Sequence, residues 1–184
     1  MHTRHPFTVL ERYSATARLL HWATVALVIG AYIASVGGSE MRVYSPVNDL
    51  GRGLHELLGM SVFALTLARA CWRAIFPPPA SPDMPAWMEL GARLGHLTIY
   101  ALLVLVPLTA ILGAWLEGHP LTVLVLGNIQ PWVPQSRQLG LVLASLHGWL
   151  GTSLIWLAGL HATAALYHHF WRHDTVLLSM LPGR

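Results

Sequence analysis

Four stretches of this chain are long, apolar and free of formal charge, and they leave few folds open. Leu19–Gly38, Leu94–Leu116 and Gln138–Trp171 each carry no Asp, Glu, Lys or Arg. Leu57–Ala68 is shorter, but His55 and Glu56 before it and the segment Arg69–Arg73 after it continue the same pattern. A bilayer core about 30 Å thick takes about 20 mostly apolar residues as a helix, because backbone N–H and C=O groups in lipid must be paired within the segment. The expected architecture is therefore all-α: an integral membrane four-helix bundle running up-down-up-down. The predicted spans are about 19–38, 54–74, 94–116 and 140–168, in one domain over 1–184. Only 10% of the residues are charged, against roughly 25% in soluble domains, which excludes a water-soluble globule and a disordered chain alike.

Orientation follows from arginine, since all 11 positive residues are Arg. Arg4, Arg12, Arg18, Arg69, Arg73, Arg93, Arg172 and Arg184 fall on one side of the predicted topology, and Arg42, Arg52 and Arg137 on the other. The positive-inside rule then puts both termini in the cytoplasm. Met1–Arg18 is polar and lacks the short apolar core and small-residue cleavage site of a signal peptide, so the first span is expected to be permanent. The inner connection PPPASPDMP (Pro77–Pro85) forbids helix and separates two hairpins. The outer loop Glu117–Gln138 contains an apolar run, Leu121–Leu126, too short to span. A short surface helix and an irregular loop suit it equally. The net charge of +3 is spread without a basic patch, so no nucleic-acid partner is expected. Cys71 is the only cysteine, which rules out an internal disulfide and a four-cysteine metal site.

Histidine is the unusual residue, at 11 copies. Imidazole within a membrane helix is costly unless it faces the bundle interior and has a partner. His21, His55, His96, His147 and His161 are so placed. On the predicted topology His55 and His147 lie near the outer end, and His161 lies at the level of His21 and His96 near the inner end. His147 and His161 are separated along one helix by about 21 Å and about 40°. That offers two axial-ligand pairs for six-coordinate haem iron: His55 with His147, and His161 with either His21 or His96. No C-x-x-C-H occurs, so such haems would be b-type and non-covalent. Gly148, Gly151, Gly159 and Ala162 leave room for a flat macrocycle, although they equally suit close helix packing. A zinc or copper site is the alternative, but one ion cannot bridge 21 Å.

Three further groups stand out. Arg69 follows His55 by fourteen residues and faces the inner haem's level, where it would pair with a propionate or raise the haem potential; an interfacial anchor is the plain alternative. His168, seven residues after His161, is a candidate proton donor to a quinone, set among residues that also read as an interfacial aromatic belt. Arg52 and Arg137, with Arg42, are candidates for steering an anion to the outer face, or are ordinary loop arginines.

The segments ERYSATARLLHW with His21, GLHELLGM with His55, ARLGHLTIY with His96 and LHGWLGTSLIWLAGLHATAALYHHFWRHDTVLLSMLP with His147, His161 and His168 resemble the bacterial cytochrome b-561 family. These are small four-helix dihaem membrane proteins, among them superoxide oxidase, and the resemblance covers nearly the whole length. It implies His21 with His161 on the inner haem and His55 with His147 on the outer, making His96 a non-ligand. It further implies oxidation of superoxide to oxygen at the periplasmic face, electron transfer through both haems to ubiquinone near the inner face, and His168 at the quinone site. The absence of lysine and the different outer loops depart from relatives. An electron-transfer and anchoring subunit, similar to the dihaem cytochrome b subunits of hydrogenases and formate dehydrogenases, is the other reading. No obligatory protein partner is expected for the first.

Overall fold

The computed structural model describes residues 12–35, 43–79, 83–123 and 127–181. Arg4, Arg42 and Arg184, used above to set orientation, lie outside the described residues. Four long helices make up the bundle: α1 (Ala15–Ile33), α2 (Asp49–Ile75), α3 (Ala86–Glu117) and α4 (Arg137–Phe170). All four are long and apolar enough to cross a membrane. A 3₁₀ turn (Pro46–Asn48) leads into α2, and a short helix α5 (Val176–Met180) follows α4.

The helices overrun the predicted spans at most ends because lipid thickness limits the apolar run, not the hydrogen-bond ladder. The ladder of α1 starts at Ala15, where Ser14 Oγ accepts from the Ala17 N–H, and stops at Ile33. In α3, Pro85 sits at the N-terminal boundary, and a Glu89–Arg93 pair carries the helix two turns into water before its apolar run begins. Gly118, with φ 86°, ends α3 in the left-handed conformation that L side chains resist.

The outer loop is neither a short helix nor irregular throughout. Leu121–Val123 (β1) pairs antiparallel with Gly127–Ile129 (β2), Leu121 opposite Ile129. Alternation decides the matter: Leu121 and Val123 are buried while Thr122 faces the other way into a polar cluster on α2. Leu121 and Val123 thus cover the bundle.

The first and last described segments lie at the same end of the bundle. The Tyr13 N–H donates to Ser179 O at 3.2 Å, Arg18 Nη1 to Leu181 O at 2.9 Å and Trp22 Nε1 to Met180 O at 2.9 Å, so α5 docks under the start of α1. This end is called the terminal end below, and the opposite one the hairpin end.

The largest group of buried apolar residues lies midway between the two. Val62, Leu102, Leu103 and Leu154 form the buried centre, with Leu27, Val28, Ile99, Val106, Leu150 and Leu157 against it. Leu154 lies seven residues from both His147 and His161, and Val62 seven residues from both His55 and Arg69. Two helical turns of apolar packing, about 10 Å, therefore lie on each side of this layer. The buried threonine hydroxyls within the spans are satisfied inside their own helices, as Thr66 Oγ1 is by Val62 O at 2.7 Å. Around the rim, Leu19, Ile33, Leu97, Trp156 and Leu160 point outward, and Trp87, Trp132 and Trp171 are exposed near helix ends, as a lipid-facing surface with aromatic borders requires.

One helix crossing is truly tight. A Cβ on Gly113 would stand 3.3 Å from Ala144 N, and one on Gly140 would stand 3.1 Å from Gly113 O. This pair fixes the approach of α3 to α4 near the hairpin end.

Candidate functional site

At the hairpin end, α2 and α4 bring His55 and His147 together with ring centroids 5.9 Å apart and ring planes at 86°. Each ring is held by a backbone carbonyl on a neighbouring helix. His55 Nδ1 lies 2.7 Å from Ala31 O, and His147 Nδ1 lies 2.9 Å from Val106 O. Ala31 is in the last turn of α1, whose carbonyls have no intrahelical donor. Val106 is next to the buried Pro107 of α3. A carbonyl can only accept, so in both histidines Nδ1 carries the proton and Nε2 presents a bare lone pair. This is the arrangement in which an imidazole binds a metal.

The spacing suits a group between them. Metal–imidazole bonds of about 2 Å put two opposed ligand nitrogens about 4 Å apart and the ring centres about 6 Å apart. One turn deeper on each helix is a glycine, Gly59 after His55 and Gly151 after His147. A Cβ at either would meet nothing within 4 Å, and the same holds at Gly148 and Gly159. These glycines are not at a close crossing, in contrast to Gly113 and Gly140, and open space lies beside the histidines. The residues present fit a haem at this end.

At the terminal end three imidazoles approach one another. His96 and His161 have ring centroids 5.3 Å apart at 66°, and His21 lies within electrostatic reach of both. His21 Nδ1 is buried and has no hydrogen-bond partner among the described residues, while its ring edge meets Trp22 at 5.2 Å. A buried imidazole nitrogen left unpaired is an expense that a ligand would offset. Arg69 lies close enough to act on His21, His96 and His161, with its guanidinium 5.4 Å from the centre of the Tyr100 ring. Among the described residues no three His, Cys, Asp or Glu side chains converge as ligands for a metal ion.

His168 lies beyond this group, in the last turn of α4. Its Nδ1 meets Asp174 Oδ2 at 2.5 Å, and both side chains are nearly buried. Arg172 Nε donates to the same oxygen at 3.3 Å, and the Val176 N–H donates to Asp174 Oδ1 at 3.2 Å. Burial alone would raise the Asp174 carboxyl pKa. The hydrogen bonds from His168, Val176 and Arg172 and the nearby imidazole outweigh it and hold the group below the ordinary carboxylate range. Sequence reasoning missed Asp174 because six residues is no helical spacing. The chain folds back through His173, at φ 52°, and only that reversal brings Asp174 to His168.

The arginines expected to steer anions are placed differently from each other. Arg52 Nη1 donates to Glu56 Oε1 at 2.9 Å and Thr122 Oγ1 at 3.0 Å, and Nη2 to Asp49 Oδ1 at 3.0 Å. Glu56 Oε2 also accepts from the Thr122 N–H at 2.5 Å. Arg52 is thus a clamp fastening β1 to α2 beside His55, and with both Asp49 and Glu56 on one cation the cluster is net negative and offers an anion no attraction. Glu56 was missed as a site residue, although its i, i+4 spacing from Arg52 was legible. Arg137 is exposed at the start of α4.

The sequence model of the prokaryotic cytochrome b561 family matches residues 12–183. Among curated proteins the chain is 30% identical over 177 residues to a probable superoxide oxidase of Yersinia pestis, covering 95% of this chain and 98% of that one. It is 28% identical over 172 residues to cytochrome b561 homolog 2 of Escherichia coli K12, covering 93% and 92%, and 29% identical over 178 residues to a cytochrome b562 of Cereibacter sphaeroides, covering 94% and 96%.

Proposed function

The chain belongs to the prokaryotic cytochrome b561 family and is a multi-pass membrane electron-transfer protein of the haem b type, and on that footing we propose that it is a superoxide oxidase. It oxidises superoxide to O2 at the hairpin end and delivers the electrons to ubiquinone near the terminal end. The hairpin end then faces the periplasm, and both termini face the cytoplasm of a bacterial inner membrane. Two superoxide anions yield two O2 and two electrons; one ubiquinone takes those electrons and two protons to become ubiquinol.

The observation that carries this reading is the His55–His147 pair, 5.9 Å between ring centres with both Nδ1 atoms spent on backbone carbonyls. With Nδ1 engaged on each ring, the two Nε2 atoms would be the ones to hold one haem b. His21 and His161 would hold the second, as the family motifs imply, with His96 packed beside His161 and not a ligand. Two bound haems supply one-electron transfer across the bilayer. The chain's own contributions are positional. The Val62, Leu102, Leu103 and Leu154 layer keeps water out of the space between the two sites. Arg137, exposed at the start of α4, attracts the anionic substrate. His168 carries a proton on the imidazole that Asp174 orients, and gives it to the quinone as the electrons arrive.

The test is optical. Purified oxidised protein is mixed with an enzymatic superoxide source, with and without superoxide dismutase, before ubiquinone and then dithionite are added. Rapid, dismutase-sensitive appearance of a reduced b-type spectrum that ubiquinone discharges is the expected result. Reduction by dithionite but not by superoxide would reject the proposal and leave an electron-transfer subunit served by another donor.

A further inference from the structure

At the terminal end a pocket between α1, α2, α3 and α5 is lined by Arg69, Arg73, Tyr100, Tyr13, Trp72 and Ala17, among others. Its chemistry is lopsided. Two guanidinium groups line it, near enough for Arg73 to act on Arg69, and no carboxylate does. Among the described residues neither arginine forms an ion pair. Arg69 is half-buried against the Tyr100 ring instead of extended to the surface, which is not the posture of an interfacial anchor. The Tyr100 hydroxyl is buried and lacks a hydrogen-bond partner among the described residues.

A half-buried guanidinium without an ion pair, a second, exposed guanidinium beside it and a buried phenol without a hydrogen-bond partner each carry a cost. A single oxyanion would answer all three: it accepts from both guanidinium groups, which match carboxylate and phosphate geometry, and from the phenol O–H. We infer that Arg69, Arg73 and Tyr100 form an oxyanion site that takes a carboxylate or phosphate group at the terminal end of the bundle. Two sources supply that chemistry. Ala17 lies one turn before His21 on α1, and Tyr100 one turn after His96 on α3, so two of the lining residues are helical neighbours of terminal-end histidines, and a haem held there would bring its carboxylates within reach. Tyr13 and Trp72 place its mouth at the helix ends, where phospholipid phosphates lie. Only the first source rests on the function proposed above.

The test compares haem-loaded wild type with Arg69→Gln, Arg73→Gln, Tyr100→Phe and Arg73→Lys, in nanodiscs of phosphatidylcholine alone or with phosphatidylglycerol. Two readouts are taken: redox-induced infrared difference spectra of protein grown with haem labelled by ¹³C at its propionate carboxyls, and melting temperature. Haem content by absorbance is measured alongside, so that failure of the haem assignment shows separately. If a haem carboxylate occupies the site, the labelled carboxylate band shifts in both Arg→Gln variants and in Tyr100→Phe, in either lipid, and Arg73→Lys restores most of it. If a lipid phosphate does, the band stays and the stabilisation by phosphatidylglycerol is lost in the same variants. An unchanged band together with an unchanged lipid response in all four variants overturns the inference.

Discussion

The imidazole of His168 meets the carboxylate of Asp174 at 2.5 Å across a chain reversal, one turn past the end of the fourth membrane helix. The carboxylate also accepts from Arg172 and from the N–H of Val176, so it is fixed from three directions before any substrate arrives. An imidazole so held donates through Nδ1 and keeps Nε2 directed elsewhere, which is what a proton donor to a bound quinone needs.

Removing that carboxylate should therefore impair proton delivery while sparing electron entry. Asp174→Asn is expected to slow steady-state ubiquinone reduction by about 10- to 100-fold and to displace its pH profile. Haem reduction by superoxide in a stopped flow stays at the wild-type rate. Equal slowing of both phases would show that Asp174 only supports the fold.

The depressed Asp174 pKa also predicts an acid limit. The folded carboxyl titrates below its unfolded value, so the stabilisation it supplies is complete above the ordinary carboxylate pKa of about 3.9 and disappears as pH falls through the folded value. Docking of α5 should loosen below about pH 4 in wild type, and Asp174→Asn should lack that step. Hydrogen exchange at Val176 and Ser179 against pH reads it directly.

Replacing His55 or His147 by alanine should lower the haem content from two per chain to one, leaving the spectrum of the terminal-end haem. Two haems remaining in either variant would refute the ligand assignment.

The two classes of glycine should respond in opposite ways. Gly151→Leu fills space that nothing in the chain occupies, so it is expected to expel the hairpin-end haem while leaving the helical spectrum intact. Gly140→Ala pushes into Glu117 and the Gly113 carbonyl, so it should destabilise the α3–α4 pair by about 1–3 kcal/mol. Haem content and thermal unfolding in detergent separate the two.

Arg137 is exposed whereas the Arg52 side chain is mostly buried, so steering of superoxide is read at Arg137. Arg137→Gln is expected to slow haem reduction by superoxide at low ionic strength and to match wild type once salt screens the surface. Arg52→Gln should free β1 from α2, seen as faster hydrogen exchange at Thr122.

Sequence alone determined the parts of this protein governed by local rules. Lipid demands paired backbone and long apolar runs, so four membrane helices were legible from charge-free segments, and fixed helical rise made the two levels of histidine legible from the spacing of His147 and His161. The β-hairpin was not legible, because Leu121 and Val123 are too few to show a period and their burial depends on α2 beneath them. Tertiary structure alone decided which atoms the histidines have left to use. Ala31 and Val106 lie on different helices from the rings they hold, and no spacing within one helix records the rotation of another about its axis. The same holds for Asp174 reaching His168, for Arg52 becoming a clamp, and for Arg69 and Arg73 sharing one pocket. Periodicity fixes where a side chain lies along a helix, whereas the partner it meets depends on how helices turn and cross, a sum over contacts that only the assembled bundle contains.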